Sequence, residues 1–579
     1  MNRLNKNIRI ASMIFWAFLL FDSSSLEAQT FVSQALEQTI VTPVQEGRYL
    51  WLPIQDSAPE GKLQVVVSNV AQMEQNVRFA REKVDYYVAL DIQPWLGAKG
   101  LSVVIQNVPK GSVCFSQIKQ NSDGQYMLIP EKYRSAYHHT PERGWMNDPN
   151  GLFFKDGVWH LYYQYNPYGS MWGNMHWAHS TSTDLLHWQK QPIALAPDVW
   201  GTMFSGSCVV DNNNTAGFGK DAIISVYTTS RPTPFGGDVQ AQCIAYSNDG
   251  GKTFTKYVGN PVLTDEKKDF RDPHVFWNDE AGFWNMILAA GQEMQIYSSA
   301  NLKDWKYESS FGHEYGNHGG VWECPDLMKM KVKGTDKEKW MLICNINPGG
   351  PFGGSATQYF IGQFDGHKFT CEDEPNETKW MDYGKDHYAT VTFDNAPDGR
   401  RCAIAWMSNW QYANQVPTMQ YRSANSIVRD LGLFEYKGET YCSVLPAKEM
   451  SAVRGAKVSA PTEACEIVVD LKGDAQITLR NAKGERVVMT YDDAEETFDM
   501  DRHRSGNVSF SDAFPVVTST PTYGKVRQMR IFVDRSSIEA FDSDGKMVMT
   551  NLVFPTVPYD KIIVKGKAKA KIYKIKSEK

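Results

Sequence analysis

Apolar residues along this chain of 579 come in short β-branched and aromatic runs, broken by Gly, Asn and Asp turns. The periodicity of amphipathic helices is nearly absent, so the pattern predicts an all-β protein. Residues 63–67, 84–88 and 101–105 are β-branched runs, and they predict a small N-terminal β-sandwich over residues 29–134. From 135 to 445 the strands are more aromatic and a weak repeat is visible. Ser182-Thr183-Asp184, Ser247-Asn248-Asp249 and Ser299-Ala300-Asn301 each follow an apolar run, and Trp188, Phe254 and Trp305 begin the next. The interval of about 50–65 residues is one four-stranded blade with generous loops, so this region predicts a five-bladed β-propeller. From 446 to 579 the runs 466–471, 529–533 and 537–541, with the turn Ser543-Asp544-Gly545, predict a C-terminal β-sandwich. Its basic tail, 565–579, alternates Lys with apolar residues and reads as a final edge strand.

Composition narrows the function. Arg3, Lys6 and Arg9 precede an apolar run over 10–21 that is too short to span a bilayer. With the polar stretch ending Leu26-Glu27-Ala28, residues 1–28 read as a signal peptide cut after Ala28. No other stretch predicts a transmembrane segment, so the expectation is export to the periplasm or the medium. A net charge of −6 without a clustered basic face argues against nucleic acid. The nine cysteines show no CxxC and no metal-ligand spacing, and read as mostly buried thiols with one or two bridges. His138, His139, His176 and His179 form no recognisable ligand set and read as hydrogen-bonding residues of strands and loops. No metal or cofactor is expected, and nothing in the sequence fixes an oligomeric state.

The candidate chemistry lies in three acids. Asp148 sits in Gly144-Trp145-Met146-Asn147-Asp148-Pro149-Asn150-Gly151, where Pro149 restricts its backbone and Asn150-Gly151 reads as a tight hairpin turn. Asp272 precedes Pro273, and Glu323 stands two residues before Pro325. They fall roughly one per blade, with the second blade skipped, and inner strands of different blades bring distant residues together at a propeller axis. Paired carboxylates among aromatic residues suit glycoside hydrolysis, in which one stays ionised and attacks while the other carries a proton. Arg271 would keep nearby carboxylates ionised, whereas like charges and aromatic burial would raise the acid. The N-terminal region carries no acid cluster, and reads as a structural appendage or a sugar-binding module.

The chain resembles glycoside hydrolase family 32, the invertase, inulinase and levanase group. The resemblance is carried by Trp145 to Gly151, Trp172-Gly173-Asn174-Met175-His176-Trp177, Phe204-Ser205-Gly206-Ser207 and Arg271-Asp272-Pro273. Trp322-Glu323-Cys324-Pro325-Asp326, Trp406-Met407-Ser408-Asn409-Trp410 and Asp534-Arg535-Ser536-Ser537-Ile538-Glu539 complete it. It covers the chain from about Tyr137 onward. It implies a five-bladed propeller with a β-sandwich, and hydrolysis of β-fructosides with retention. By motif position Asp148 would be the nucleophile, Glu323 the acid/base and Asp272 the transition-state stabiliser. Asn147, Gln164, Trp172, Phe204, Ser205, Arg271, Tyr388 and Trp406 would line the fructose pocket. His387 stands where the family more often has Phe, as does Met328. The resemblance favours exo-release of terminal fructose from levan or inulin, with sucrose as a smaller substrate. The alternatives are an endo-levanase and a catalytically silent fructan-binding protein. The turn Ser247-x-Asp249-x-Gly251-x-Thr253-Phe254 resembles the Asp-box of sialidases, but the arginine triad and nucleophilic tyrosine of that group have no match.

Overall fold

Strands make up nearly all the regular structure of the computed structural model, which describes residues 31–35, 38–43 and 46–576. The expected signal peptide lies outside these residues. Five sheets, each built mainly from antiparallel strands that follow one another along the chain, form the five blades of a propeller. Their inner strands are Gly144–Lys155, Thr202–Asp211, Phe270–Asn278, Val321–Lys331 and Tyr388–Thr392. Each inner strand packs against those of the adjacent blades around a closed ring. Closure is reinforced where Tyr421 and Arg422 pair in parallel with Gly144 and Trp145, tying the end of the ring to its beginning.

The sequence repeat is a turn that ends the third strand of a blade. Asp184 Oδ1 accepts from the N–H groups of Leu186 and His187, Asp249 Oδ1 from Lys252 and Thr253, and Asn301 Oδ1 from Lys303 and Asp304. A fourth copy, legible only in the structure, follows Ala356–Phe364, where Asp365 Oδ1 accepts from His367 and Lys368. Short polar side chains that bond to backbone two to four residues ahead make this turn without help from the rest of the fold.

Asn150-Gly151 is not a hairpin turn. The strand Gly144–Lys155 runs straight through it, with Asn150 opposite Tyr162 and Phe153 opposite His160. The extra residue is absorbed as a β-bulge. Gly151 is required there by its φ of +55° and by space, because a Cβ would stand 2.6 Å from the Trp177 ring. The cysteine bridges are also absent: all nine cysteines are described and all are free thiols. Eight are buried, and loss of solvation keeps the thiol protonated, as for Cys243, pushed up to about 12.

An N-terminal module of a five-stranded and a three-stranded sheet shares one apolar core, and a nine-stranded assembly forms the C-terminal sandwich. The strand Lys561–Ile575 lies along Cys465–Arg480, and its last residues are covered by Arg454–Val458. It is therefore an edge only over its first part, a correction to the expected edge strand.

Sandwich and propeller meet through buried charge. Arg429 bridges Asp382 (2.8 Å) and Glu539 (2.7 Å), and His138 bridges Asp534 (2.7 Å) and Glu539 (2.8 Å). Burial alone would push His138 down, but the two carboxylates bonded to its ring raise it to about 9. A group raised in the folded state contributes its full stabilisation below the unfolded value near 6.5 and loses it as pH rises through 9. At pH 6 His138→Gln should cost about 3–5 kcal/mol, because it strands buried carboxylates. Thermal melts should show the gap between wild type and variant narrowing from pH 6.5 to 9. A constant gap would mean that His138 is neutral in the fold.

Candidate active site

All five inner strands break register at the same level of the propeller. Between Met146 and Pro149 the strand advances three residues while its neighbour advances two, from Tyr165 to Tyr163. The same three-against-two step occurs at Met203/Gly206, Arg271/His274, Glu323/Asp326 and Tyr388/Val391. Each step is a bulge, which tilts side chains out of the pleat. The residues in or beside these bulges are Asn147 and Asp148, Phe204 and Ser205, Arg271 and Asp272, Glu323 and Cys324, and Tyr388. Three bulge residues, Asp272, Cys324 and Ala389, have left-handed φ of +64°, +41° and +55°. Non-glycine residues hold such values at a cost of about 1–3 kcal/mol each, which the surrounding sheets must override.

The bulges bring Asp148, Asp272 and Glu323 to one cavity of about 340 Å³ at the mouth of the ring. Ser205 Oγ donates to Asp148 Oδ2 (3.0 Å) and Asn147 Nδ2 to Asp148 Oδ1 (3.1 Å), while Trp145 Nε1 donates to Asn147 Oδ1 (2.8 Å) and orients that amide. Asp272 is buried, and its Oδ2 accepts from the Cys324 backbone N–H (3.0 Å). The Cys324 thiol bridges the two aspartates, 3.5 Å from Asp148 Oδ2 and 3.6 Å from Asp272 Oδ2. Arg271 donates to Glu323 Oε1 (2.9 Å) and Asp269 Oδ1 (2.7 Å) and lies 3.8 Å from Asp272 Oδ2. The Tyr388 hydroxyl donates to the other Glu323 oxygen.

Burial, then the charge of Glu323, pushes Asp148 up to about 6, while the bonds from Asn147 and Ser205 pull it down. Burial pushes Asp272 up too, against the pull of Arg271. Burial works against the Arg271 charge, but Glu323 and Asp272 outweigh it and keep the guanidinium ionised. Burial and the adjacent carboxylates keep Tyr388 protonated, hence a donor. The pocket therefore combines carboxylates poised near neutral pH with a permanent cation.

Asn147, Gln164, Trp172, Phe204, Ser205 and Arg271 line this cavity with the three acids. The Gln164 Nε2 amide is buried without a protein partner, a donor free for a sugar hydroxyl. Tyr388 and Trp406 do not line it. Tyr388 is buried behind Glu323, and Trp406 is fully buried beneath Trp145 and Trp410, with ring centroids 5.9 and 4.8 Å away. Trp410, four residues on in the same motif, is the aromatic residue of this segment that reaches the cavity. Met175, Gln240, Asp269 and Asn347 also line it and were not expected. Asp269 had a signal, since it stands two residues before Arg271; Gln240 lies on the strand Asp238–Ser247 and Asn347 ends the strand Glu338–Asn347, and no motif marks either strand.

His176 and His179 are buried hydrogen-bonders, to Asn174 O (2.5 Å) and His160 Nδ1 (3.1 Å), and burial pushes them down to about 4 and 3. His387 and Met328 are buried away from the cavity. A larger cleft of about 490 Å³ lies between propeller and sandwich, but no carboxylate lines it.

Three family patterns match the chain. The Glycosyl hydrolases family 32 N-terminal domain matches residues 138–443 and the Glycosyl hydrolases family 32 C-terminal pattern residues 442–577. Residues 36–137 match a domain of unknown function (DUF4980). A levanase of Bacillus subtilis is 44% identical over 458 residues, 73% of this chain and 67% of that protein. An extracellular exo-inulinase of Aspergillus ficuum is 40% identical over 486 residues, covering 74% of this chain and 90% of that one. The crystal structure of the exo-inulinase from Aspergillus awamori superposes with a TM-score of 0.71 at 35% identity, over 77% of this chain and 99% of that one.

Proposed function

The chain belongs to glycoside hydrolase family 32, and from that membership we propose that it releases terminal fructose from β-fructans with retention of configuration. It is a β-fructofuranosidase: it hydrolyses β-D-fructofuranosidic bonds. The observation that carries the mechanism is the convergence of three carboxylates and one arginine from three blades on a single small cavity.

Asp148 is the nucleophile. Its oxygens are aimed by Asn147 and Ser205, and they attack the anomeric carbon to form a covalent fructosyl-enzyme. Glu323 protonates the departing oxygen and later takes the proton from the attacking water. Arg271 and Tyr388 hold its carboxyl in place from two sides. Asp272 is the transition-state stabiliser: buried and fixed by the Cys324 N–H, it holds ring hydroxyls and offsets positive charge at the anomeric carbon. Gln164, Trp172, Phe204 and Trp410 supply the amide and the aromatic walls for the fructosyl ring.

Exo action is supported by the cavity, which at about 340 Å³ is at the small end of ligand sites and suits a chain end, and by the exo-inulinases among the relatives. Export is supported by the reading of residues 1–28 as a signal and by the extracellular relative. Chromatography of products from levan, inulin and sucrose over time tests the activity. Fructose alone from the earliest points is expected. A ladder of oligosaccharides would replace exo with endo action, and no product from any of the three would leave the binding-protein reading.

Asp148→Asn should abolish turnover while leaving the melting temperature within a few degrees of wild type. Glu323→Gln should slow fructosides with poor leaving groups by about 10²–10⁴-fold and those with good ones much less; an equal loss on both would remove Glu323 from the acid role. Because Asp148 must be ionised to attack and sits near 6, kcat/KM should fall as pH drops below about 6. Ser205→Ala removes a bond to the charged form, so this acid limb should move to higher pH.

A further inference from the structure

The family 32 patterns begin at residue 138, and the module before it carries no carboxylate of the cavity. It nevertheless grips one wall of that cavity. Trp172 stands on the rim, 45% exposed, in the loop 167–175 that joins Val158–Asn166 to His176–Ser182. The propeller's own contacts to this residue are few: its N–H makes a long bond to Asn414 Oδ1 (3.3 Å) and its ring lies edge-on to Phe204 at 6.3 Å, while Asn166 bonds the flanking Met171 O (2.9 Å) and, more loosely, the Asn174 amide (3.2 Å).

Two residues before Trp172, Ser170 is fully buried against the N-terminal module. Its N–H donates to the Tyr86 hydroxyl (2.9 Å), which in turn donates to Asp56. Arg422 closes the knot by donating to Ser170 O (2.8 Å) and pairing with Asp56 Oδ2 (3.0 Å). Two residues after Trp172, Asn174 Nδ2 donates to Asn76 O (2.7 Å) and Asn174 Oδ1 accepts from Asn76 N–H (3.0 Å). Asn76 lies on Val70–Val77, the outer strand of the five-stranded sheet, so the Asn174 amide bonds that edge as a neighbouring strand would. Tyr168, at the start of the loop, is packed into the module's own apolar core.

We propose that the N-terminal module is a positioning scaffold for Trp172. It clamps the loop on both sides of the indole and so sets the affinity of the fructosyl pocket without touching substrate. This rests on the reading of the cavity as that pocket. An exposed aromatic side chain on a free loop must be ordered when substrate binds, and that ordering weakens binding. A loop ordered in advance binds tighter, with the same contact in ground and transition states, so the effect falls on KM and spares kcat.

The test is a double-mutant cycle in the full chain, assayed on the best substrate among levan, inulin and sucrose. Asn174 has φ +45°, so Asn174→Gly removes the amide without straining the backbone. It should raise KM roughly three- to tenfold, the size expected for re-ordering one side chain, with kcat nearly unchanged. Asn174→Asp, which keeps only an acceptor, should fall between. Trp172→Ala should raise KM, and adding Asn174→Gly to it should change nothing further. A Trp172→Ala effect with no Asn174→Gly effect overturns the scaffold while the pocket reading stands. So does an Asn174→Gly effect that persists undiminished without Trp172. If Trp172→Ala leaves KM unmoved, the pocket reading of this wall fails and the scaffold with it.

Discussion

Three carboxylates cannot be gathered in a half-buried pocket without a counter-charge, and Arg271 is that charge. Its fork reaches Glu323 and Asp269 and lies beside Asp272, so one guanidinium offsets acids from two blades. The remaining repulsion and loss of hydration still lift Asp148 and Asp272 toward neutral pH. The rest of the structure is arranged to hold this constellation against its own repulsion. Five register breaks at one level aim the side chains, and the closed ring of inner strands gives them no direction in which to relax.

The supports extend beyond the propeller. The segment leading into Tyr388 is laid against the sandwich strand Val548–Leu552. Tyr383 N–H donates to Val548 O, Asp386 N–H to Thr550 O, and Lys385 N–H to Asn551 Oδ1. Asp382 is fixed by Arg429 and Asp386 by Arg502, all four buried. The hydroxyl that steadies Glu323 is thus placed partly by the C-terminal sandwich, and the rim tryptophan is held by the N-terminal module. A propeller supplies the acids, and its two neighbours brace different parts of the wall.

Much of this was legible in residue order because it is encoded locally. Strands announce themselves by alternation and β-branching, and the Ser-x-Asp turns bond within a few residues, so the blades could be counted. Asp148, Asp272 and Glu323 stood out because proline and aromatic neighbours mark them. The errors have a common cause. Asn150-Gly151 has the local chemistry of a hairpin, but the strand Val158–Asn166 pairs across it and turns the extra residue into a bulge. Trp406 and Trp410 share a motif and both pack against Trp145, and only the folded chain decides that Trp406 is fully buried while Trp410 reaches the cavity. The cysteines stay unpaired, eight of them buried, and no spacing reports that burial.

By itself the sequence determined the all-β class, the propeller between two sandwich-like modules, the motifs that hold the three acids and the family those motifs mark. These follow from periodicity of two, turn chemistry and short motifs, all of which act over a few residues. Tertiary structure alone decided which side chains share the cavity, that Asp148 and Asp272 are lifted toward neutrality, and that the N-terminal module grips the Trp172 loop. Those depend on burial and on contacts such as Asn76 with Asn174 and Asp56 with Arg422, between residues about a hundred or more positions apart, where the order of the chain carries no record of distance.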